Sequence, residues 1–572
     1  MIRRHWWLTL LILIIALSSL LWTLAQQRTS RGRLSSDSVR MRPHGPPQAV
    51  LPECSDFPLD PDGLTSGEVL SIVAAAAEAI DAAGFSVAVV DRPGRILAVW
   101  EKGGSSQENS ERAVALARTG AFFSNDQAPL SSRTVRSISQ KNFPPGIDFL
   151  PNGALYGIEN TNRGCSFNST FIPGQCIPRA TSLAALRRAN GVDGCAGCPP
   201  LRCDGVEQTG CGLGVYTGKF SGRFEEGRLL DLPEAELLDE FPQQVHGGGI
   251  PLFKDCRLVG GVGVFGAPAD QAEFAAVAAS LSLFDFRVCL PPPFAVFLDG
   301  IRLPFAENTT PPPGSSAGPG LAAGEFVVLD EEMSAPVTVR EGRAAAEGWL
   351  IGPLASPDLS VDEVGQIVQQ SVDQADRTRA AIRLPLGSRT RMVISVAALD
   401  GTTLGLFRMP DATLFSVDVA LAKARNMAYF SDPEAVGELS GVPAGTAVTN
   451  RTISFGSQPL FPVGITGSER GPFFGLFEFD LQNPCSQGRD PGNLFDALNK
   501  AGVVFFPGSV PLYRNGQLVG GLGISGDGVE QDDVVAAGGA AGFEAPEDIR
   551  ADQIFIRRVR LPYLKFNRNP EK

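Results

Sequence analysis

Two closely similar nine-residue strings lie 260 positions apart in this 572-residue chain. The first, "LVGGVGVFG", occupies residues 258–266, and the second, "LVGGLGISG", occupies residues 518–526. Each follows an apolar run and a polar turn, in "IPLFKDCR" and "VPLYRNGQ". This pattern predicts a β-hairpin whose returning strand is rich in glycine. A chain that contains the same hairpin twice is expected to contain the same domain twice.

Other segments repeat in the same order. The helix start "LTSGEVLSIV" at 64–73 matches "LSVDEVGQIV" at 359–368, and "ERAVALARTGAFFSN" at 111–125 matches "DVALAKARNMAYFSD" at 418–432. These spacings are far longer than the period of a solenoid, so we predict two tandem homologous domains. Short turns between the strands predict an α+β fold class, with helices packed on a mainly antiparallel sheet in two layers.

The predicted organisation has five parts, in a chain whose 43% hydrophobic and 19% charged residues are typical of globular proteins. They are 1–27, a signal peptide or N-terminal membrane anchor; 28–63, a basic, proline-rich linker; 64–305, domain 1 with a cysteine-rich insertion at about 160–215; 306–358, a linker and an extended segment that docks on one domain; and 359–572, domain 2.

The twin strings also have the spacing G-x-G-x-x-G of a dinucleotide-binding loop. Here the glycines lie in the returning strand of a hairpin, and the acidic segment "SGDGVEQDD" would repel a pyrophosphate, so we expect no nucleotide. We instead expect Gly261, Gly263, Gly521 and Gly523 to permit a close approach by a neighbouring helix, by the other repeat or by a flat ligand.

The N-terminus contains a targeting segment. In "MIRRHWWLTLLILIIALSSLLWTLAQQ", two arginines precede an apolar run of about 20 residues, long enough to span a bilayer. Both cleavage after Ala25 and retention as an anchor fit this pattern. Five arginines between Arg28 and Arg42 favour a cytoplasmic location for the next segment, which conflicts with export.

Cysteine usage favours export to a periplasmic or extracellular location. Eight of the ten cysteines lie between Cys165 and Cys289. In an exported chain this clustering predicts disulfide bonds within residues 165–211. The alternative is a zinc or iron–sulfur site, although the spacing matches no metal-ligand pattern known to us. Its ligands would be Cys195, Cys198, Cys203 and Cys211.

Charge and histidine content restrict the classes of function. The net charge is −13; residues 1–47 contribute seven arginines and one aspartate, or +6, so the remainder carries −19. An acidic body without a basic stripe is a poor nucleic-acid binder. Only three histidines are present, and His246 is the one within the repeats, so the sequence offers little support for a catalytic triad.

Several of these segments resemble a known family. They are "VVDRPGRILAVWE" at 89–101, "AKARNMAYF" at 422–430 and "FPGSVPLYRNGQLVGGLGISGDGVEQDD" at 506–533. Together they resemble the GlcG/HbpS-type haem-binding (haem-degrading) domain, over about 64–305 and 359–566. The resemblance implies an α+β domain that tends to form homo-oligomers and that binds haem or a related tetrapyrrole. The tandem arrangement, the cysteine-rich insertion and the replacement of "FPGS" by "HGGG" depart from the family's usual short single domain.

The resemblance also suggests candidate cofactor-binding residues. A haem site needs an apolar slot, an iron ligand and cations for the propionates. Domain 2 offers the larger set, and His246 is a candidate ligand in domain 1, although most of these side chains would belong to the core in any such fold. The domain 2 candidates are Phe407, Arg408, Met409, Lys423, Arg425, Met427, Tyr429, Gly521 and Gly523.

The sequence therefore predicts an exported or membrane-anchored haem-binding protein, with a role in haem or iron handling or in redox sensing. Catalysis is not expected beyond weak haem degradation implied by the resemblance. The alternative is a structural or interaction module without a cofactor, whose slots are filled by core side chains.

Overall fold

The computed structural model describes the following residues: 60–141, 143, 155–162, 214–219, 223–225, 228–230, 234–240, 243–327, 338–435, 437–482 and 502–571. All of them belong to one compact unit, Pro52–Lys572. The predicted signal or anchor segment, nearly all of the 28–63 linker and the cysteines within 165–211 lie outside the described residues.

The first half contains a five-stranded sheet with the order β5-β6-β1-β2-β9. Every neighbouring pair with a described register is antiparallel. The elements are α1 (Ser66–Ala79), β1 (Ser86–Asp91), β2 (Ile96–Lys102), α2 (Gln107–Phe123), α3 (Ser132–Ile138), β3 (Arg223–Glu225), β4 (Arg228–Leu230), α4 (Glu234–Leu237), β5 (Gly249–Lys254), β6 (Arg257–Phe265), α5 (Ala269–Leu283), β7 (Phe297–Leu298), β8 (Ile301–Arg302) and β9 (Gly324–Phe326).

The second half contains a second antiparallel sheet, with the order β10-β12-β11-β14-β13. Read from the other edge, its first four strands follow the order of the first sheet; the fifth differs, because β9 is the last strand of its sheet along the chain and β10 is the first of its own. The elements are β10 (Gly348–Ile351), α6 (Val361–Ala375), β11 (Val393–Ala397), β12 (Thr403–Arg408), α7 (Phe415–Phe430), α8 (Asn450–Gly456), α9 (Phe474–Gln482), β13 (Ser509–Arg514), β14 (Gln517–Ser525), α10 (Val529–Gly539), β15 (Phe555–Ile556) and β16 (Val559–Arg560).

Helices cover both faces of each sheet. In the first half, Gly261 and Gly263 of β6 face α2. The alternate residues Val262 and Val264 point the other way and join the core formed with α1 and α5. In the second half, α7 packs on one face, while α6 and α10 pack together on the other. The α+β class with antiparallel sheets is confirmed, but the prediction of two layers is wrong, because each half has three.

Side-chain caps fix the first helix of each half. Thr65 accepts a hydrogen bond from Glu68 N while the Glu68 side chain accepts one from Thr65 N. Ser360 and Glu363 form the same reciprocal pair at the start of α6. Each pair satisfies backbone donors that a helix start leaves free. The predicted helix starts are therefore present at both positions.

The segment between the halves supplies the fifth strand of both sheets. β9 pairs with β2, and β10 pairs with β12. Trp349 of β10 packs edge-on against Phe407, with ring centroids 5.4 Å apart. The expectation that this segment docks on one domain is therefore incomplete, because it covers an edge of each sheet.

Matching polar contacts support the similarity of the two halves. Thr134 Oγ1 in α3 donates to Pro304 O at 2.6 Å, and Thr452 Oγ1 in α8 donates to Pro562 O at 2.7 Å. Each bond ties the short third helix to the segment after the last hairpin of its half.

The halves contact each other directly. The Phe123 ring, at the end of α2, stacks on the Phe415 ring, at the start of α7, with centroids 4.3 Å apart. Nearby, Gln127 Nε2 donates to Leu384 O at 2.8 Å, and Arg383 Nη1 donates to Gln127 Oε1 at 3.2 Å. Aromatic stacking and polar contacts therefore both join the two halves.

Two observations concern the disulfides and the membrane spans of the described residues. A disulfide links Cys256 and Cys289, and so joins the β5–β6 hairpin to the segment after α5. Within the described ranges, no helix is both long enough and apolar enough to cross a membrane.

Candidate functional site

The candidate residues of the second half are buried. Phe407 and Arg408 lie on β12 and Met409 follows it, while Lys423, Arg425, Met427 and Tyr429 lie on α7. Met427 and Tyr429 belong to a hydrophobic cluster with residues of α9 and the C-terminal segment. Tyr429 OH hydrogen-bonds to Glu438 Oε1 at 2.9 Å. These residues therefore connect β12 and α7 to the surrounding core.

The two buried arginines donate to backbone carbonyls. Arg408 donates through Nε and Nη2 to Ala412 O, at 3.0 and 2.6 Å, and through Nη1 to Ala346 O at 2.9 Å. Arg425 Nε donates to Gly401 O at 2.9 Å, and Arg118 Nε donates in the same way to Gly94 O in the first half, also at 2.9 Å. These bonds close turns, which is a structural role.

The strand glycines permit a close helix–sheet contact. A Cβ added at Gly521 or Gly523 would lie far inside contact distance of the α7 carbonyl oxygens of Ala424 and Ala420, respectively. Gly261 and Gly263 of the first half face the α2 backbone in the same way. Of the three approaching surfaces considered from the sequence, a neighbouring helix is the one present.

Lys423 forms a buried ion pair near the junction of the halves. Its Nζ donates to Ile524 O at 2.7 Å and to Asp532 Oδ2 at 3.0 Å, and lies 4.9 Å from the centre of the Phe506 ring. Burial lowers the pKa of Lys423 and raises the pKa of Asp532 to about 7. Both shifts favour the uncharged forms. The protonation of Lys423 and Asp532 therefore depends on how far the two side chains are shielded from water.

His246 is enclosed within the first half. Its ring stacks on Phe265 with centroids 4.8 Å apart, and the Tyr216 ring lies 6.3 Å away. Burial lowers the pKa of His246 to about 4, so the imidazole is neutral at pH 7. At the repeat offset of 260, Phe506 and Ser525 occupy the positions of His246 and Phe265.

A large cavity lies between the halves, with a volume of about 1310 Å³. The first half contributes residues 291–303, around the β7–β8 hairpin, together with the end of α2. The second half contributes residues 379–386, the start of α10 and residues 565–568. Phe506 and Ser525 also line it, whereas none of the candidate residues predicted from the sequence does. Lys423 adjoins it through Asp532 and Phe506, which both line the cavity.

The cavity combines an apolar interior with charges. Aromatic and aliphatic side chains dominate its lining, including the stacked Phe123 and Phe415. Two large apolar side chains, Leu386 and Phe566, line it and are 80% and 56% exposed, so they mark its mouth. The arginine and lysine side chains that line it are Arg379, Lys565 and Arg568. Such a chamber suits an apolar ligand with anionic groups at one edge.

Sequence reasoning missed this cavity because parts of its wall come from segments outside the repeated ones. The run "LPPPF" at 290–294 and the segment "LKFNRNP" at 564–570 attracted no functional interpretation. The available signal in the sequence was the apolar Leu564 and Phe566 beside the cations Lys565 and Arg568 in the C-terminal segment. Their proximity to residues 379–386 depends on the packing of the two halves, which a single sequence does not reveal.

A metal site is not found in the part of the chain that the structure describes. No cluster of three or more His, Cys, Asp or Glu side chains there could hold an ion. The alternative of a zinc or iron–sulfur site at Cys195, Cys198, Cys203 and Cys211 lies outside the described residues, so it stays a prediction.

Fold and cavity together define a class: a chain of two α+β halves that encloses an apolar, cation-rimmed chamber between them. Within it, residues 370–541 match the family model for "Haem degrading protein HbpS-like". The resemblance noted from the sequence is confirmed for this segment of the second half. The match does not extend into the first half, so membership of both copies stays a prediction based on the repeated segments.

Two solved structures are similar to part of this chain. The chain is similar to a structure titled "Crystal Structure of PduOC:Heme Complex", at 26% identity, covering 33% of this chain and 96% of that chain, with a TM-score of 0.22. It is also similar to the Klebsiella pneumoniae protein ORFY, of family model DUF336, at 21% identity, covering 34% of this chain and 99% of that chain, with a TM-score of 0.21. No curated protein matches.

Proposed function

We propose that the cavity between the halves binds haem or a closely related tetrapyrrole. The observation that carries this proposal is the apolar chamber with arginines at its mouth, in a chain whose residues 370–541 match a haem-degrading family. Typical small-molecule pockets have volumes of roughly 300–1,000 Å³. The chamber, at about 1310 Å³, is large enough for a ligand at the upper end of that range.

The lining fits the ring of a tetrapyrrole. Phe123, Phe415 and Phe506 offer flat apolar surfaces inside the chamber, and aromatic faces pack well against flat conjugated rings. Arg379 and Arg568 offer cations for the carboxylates. In this proposal the predicted residues on β12 and α7 support the wall of the chamber, and Lys423 is the one that lies next to it.

The lining fits the iron less well. His, Cys, Met and Tyr are the side chains that usually ligate haem iron, and none of them is among the described residues that line the chamber. Bound haem would supply a redox-active iron, while the protein would bind and shield the ring. We therefore propose binding, with at most weak haem degradation, in haem handling or redox sensing.

A titration of the purified chain with hemin tests the proposal. We expect a shifted, saturable Soret band. Ser525→Phe should weaken hemin binding at least tenfold, because Phe265 occupies the equivalent position in the first half and the larger ring fills space in the chamber. Ile465→Phe, at a partly exposed residue outside the lining, is the control and should bind as the native chain does.

Thermal melting of each variant shows whether it is folded. If the native chain gives no saturable band, the proposal is wrong and a structural or interaction module without a cofactor is favoured. Tight hemin binding by a folded Ser525→Phe variant would place the ligand elsewhere.

We also propose that the chain is exported, to a periplasmic or extracellular location or as a protein anchored by residues 1–27. The Cys256–Cys289 disulfide supports this, because structural disulfides persist mainly in oxidising compartments. Fractionation of cells that express the full chain, with N-terminal sequencing, tests location and cleavage together. Recovery of uncleaved protein with both cysteines reduced, in the cytoplasmic fraction, would contradict it.

A further inference from the structure

The C-terminal segment forms one side of the cavity mouth. Residues 561–571, beyond the part of the chain that matches the haem-degrading family, pack against the second half. Arg379 N donates to Pro570 O at 2.7 Å, and Arg389 Nη1 donates to Glu571 O at 2.9 Å. Lys565 N donates to Asp533 Oδ2 at 2.9 Å. These bonds place residues 565–568 and Arg379 on the same cavity.

Two of the cations at this mouth have no ion-pair partner among the described residues. Lys565 Nζ is paired with Glu530 Oε1 at 3.0 Å. Arg379 and Arg568 have no such pair, and Nε of Arg379 is buried without a hydrogen-bond partner. The amide of Asn567, which also lines the cavity, has both its oxygen and its nitrogen buried without a partner.

The nearby carboxylates do not neutralise these arginines. Glu530 is paired with Lys565, and Asp532 is paired with Lys423. Asp299 lines the same cavity and is the remaining acid, so two arginines face one carboxylate there. A buried guanidinium nitrogen without an acceptor is unfavourable, and a ligand carboxylate would satisfy it.

We propose that Arg379, Arg568 and Asn567 form a carboxylate-binding site at the cavity mouth, which holds the anionic edge of a ligand whose apolar body lies inside. This inference rests on the proposed function for its ligand class, a tetrapyrrole dicarboxylate. A long-chain fatty acid shares the same chemistry, an apolar body with a carboxylate, so the test separates the two.

The test compares an Arg379→Gln/Arg568→Gln double variant with Arg560→Gln. Arg560 is an exposed arginine of the same C-terminal region that does not line the cavity, so it controls for the general loss of positive charge. Binding of hemin, of protoporphyrin IX dimethyl ester and of palmitate is measured for each protein. Thermal melting confirms that each variant is folded.

We expect the double variant to bind hemin roughly ten- to a hundredfold more weakly than the native chain, because hydrogen bonds to charged groups are lost. The Arg560→Gln variant should bind hemin normally. The dimethyl ester should bind the native chain and the double variant equally, because it lacks the carboxylates.

The possible failures are distinguishable. Normal hemin binding by the folded double variant overturns the carboxylate site while the proposed function stands. Arginine-dependent binding of palmitate without binding of hemin supports the carboxylate site and refutes the tetrapyrrole. If the native chain binds neither ligand, both proposals are wrong.

Discussion

Adding one methyl group at Gly523 should destabilise the protein, although alanine usually stabilises a strand relative to glycine. The new Cβ would lie 2.5 Å from Ala424 N and 2.9 Å from Lys423 Cβ, and closer still to Ala420 O. The atoms nearest to it belong to the backbone of α7, which cannot rotate away as a side chain can. The whole helix would have to move from the sheet, in an interior that is already close-packed.

The size of the effect follows from two opposing contributions. Overpacking of a core costs about 1–3 kcal/mol. The lower backbone entropy of alanine in the unfolded chain offsets about 0.5–1 kcal/mol of that cost. Because the obstructing atoms are backbone, we expect the upper part of the range and a net loss of about 2 kcal/mol.

Urea unfolding followed by circular dichroism measures this difference, with two matched substitutions. Gly263→Ala should have a similar effect, because its Cβ would lie 2.6 Å from Ala117 N and closer to Ala113 O. Gly365→Ala should stabilise by up to about 1 kcal/mol, because Gly365 lies within α6 and its Cβ would meet no atom within 4 Å. If Gly523→Ala and Gly365→Ala were equally stabilising, the helix contact would not be the reason for the glycine.

Three further predictions concern the ligand, acid stability and the cysteines. Hemin and metal-free protoporphyrin IX should bind with affinities within about tenfold of each other, since no usual iron ligand is among the described lining residues; a much tighter hemin complex, measured by fluorescence quenching and absorbance, would contradict this. Acid should destabilise the native chain by up to about 3 kcal/mol through His246. The pKa of His246 is about 4 in the folded chain and 6.5 in the unfolded chain, so the unfolded chain takes up a proton first as the pH falls. The contribution of His246 to stability is therefore fully present above pH 6.5 and is lost as the pH falls through 4. His246→Phe should remove that part of the loss, and urea unfolding at pH 7 and pH 4.5 measures it. Thiol labelling of the unreduced, unfolded chain should spare Cys256 and Cys289, and we predict that it also spares the cysteines within 165–211; labelling of all of them would refute both statements.

The sequence was most informative where local chemistry decides the structure. Helix starts at Thr65 and Ser360 were predictable because the cap and its acidic partner lie three residues apart. The β5–β6 and β13–β14 hairpins were predictable because turn residues separate two apolar strands. The close approach of a helix to the strand glycines was one of three alternatives, and local sequence alone does not distinguish among them.

The candidate site was harder to predict, for physical reasons. Arg408 and Arg425 are cations beside aromatic residues, which suggested a ligand for their charge, but backbone carbonyls accept their hydrogen bonds. Carbonyl acceptors leave no trace in a sequence pattern. The cavity depends on contacts between Phe123 of one half and Phe415 of the other, which are far apart in the chain. A residue's type therefore indicated what it could bind, and the packing decided what it contacts.

A difference between the halves bears on how many ligands one chain can bind. In the first half, the region equivalent to Phe506 and Ser525 is occupied by His246 and Phe265, and Tyr216 packs beside them. Arg112 lies over the Tyr216 ring, 4.9 Å from its centre, which closes the region further.

In the second half the smaller Ser525 leaves space, and the first half completes the chamber with residues 291–303. Two identical subunits carry identical sites, whereas two fused copies can differ. Here side chains of the first half fill the region equivalent to the chamber, and the first half forms one wall of the chamber of the second half. We therefore expect hemin to saturate at one equivalent per chain. Saturation at two equivalents, with the second lost in a variant of the His246 region, would show that the aromatic cluster opens to admit a ligand and that the halves remain equivalent in function.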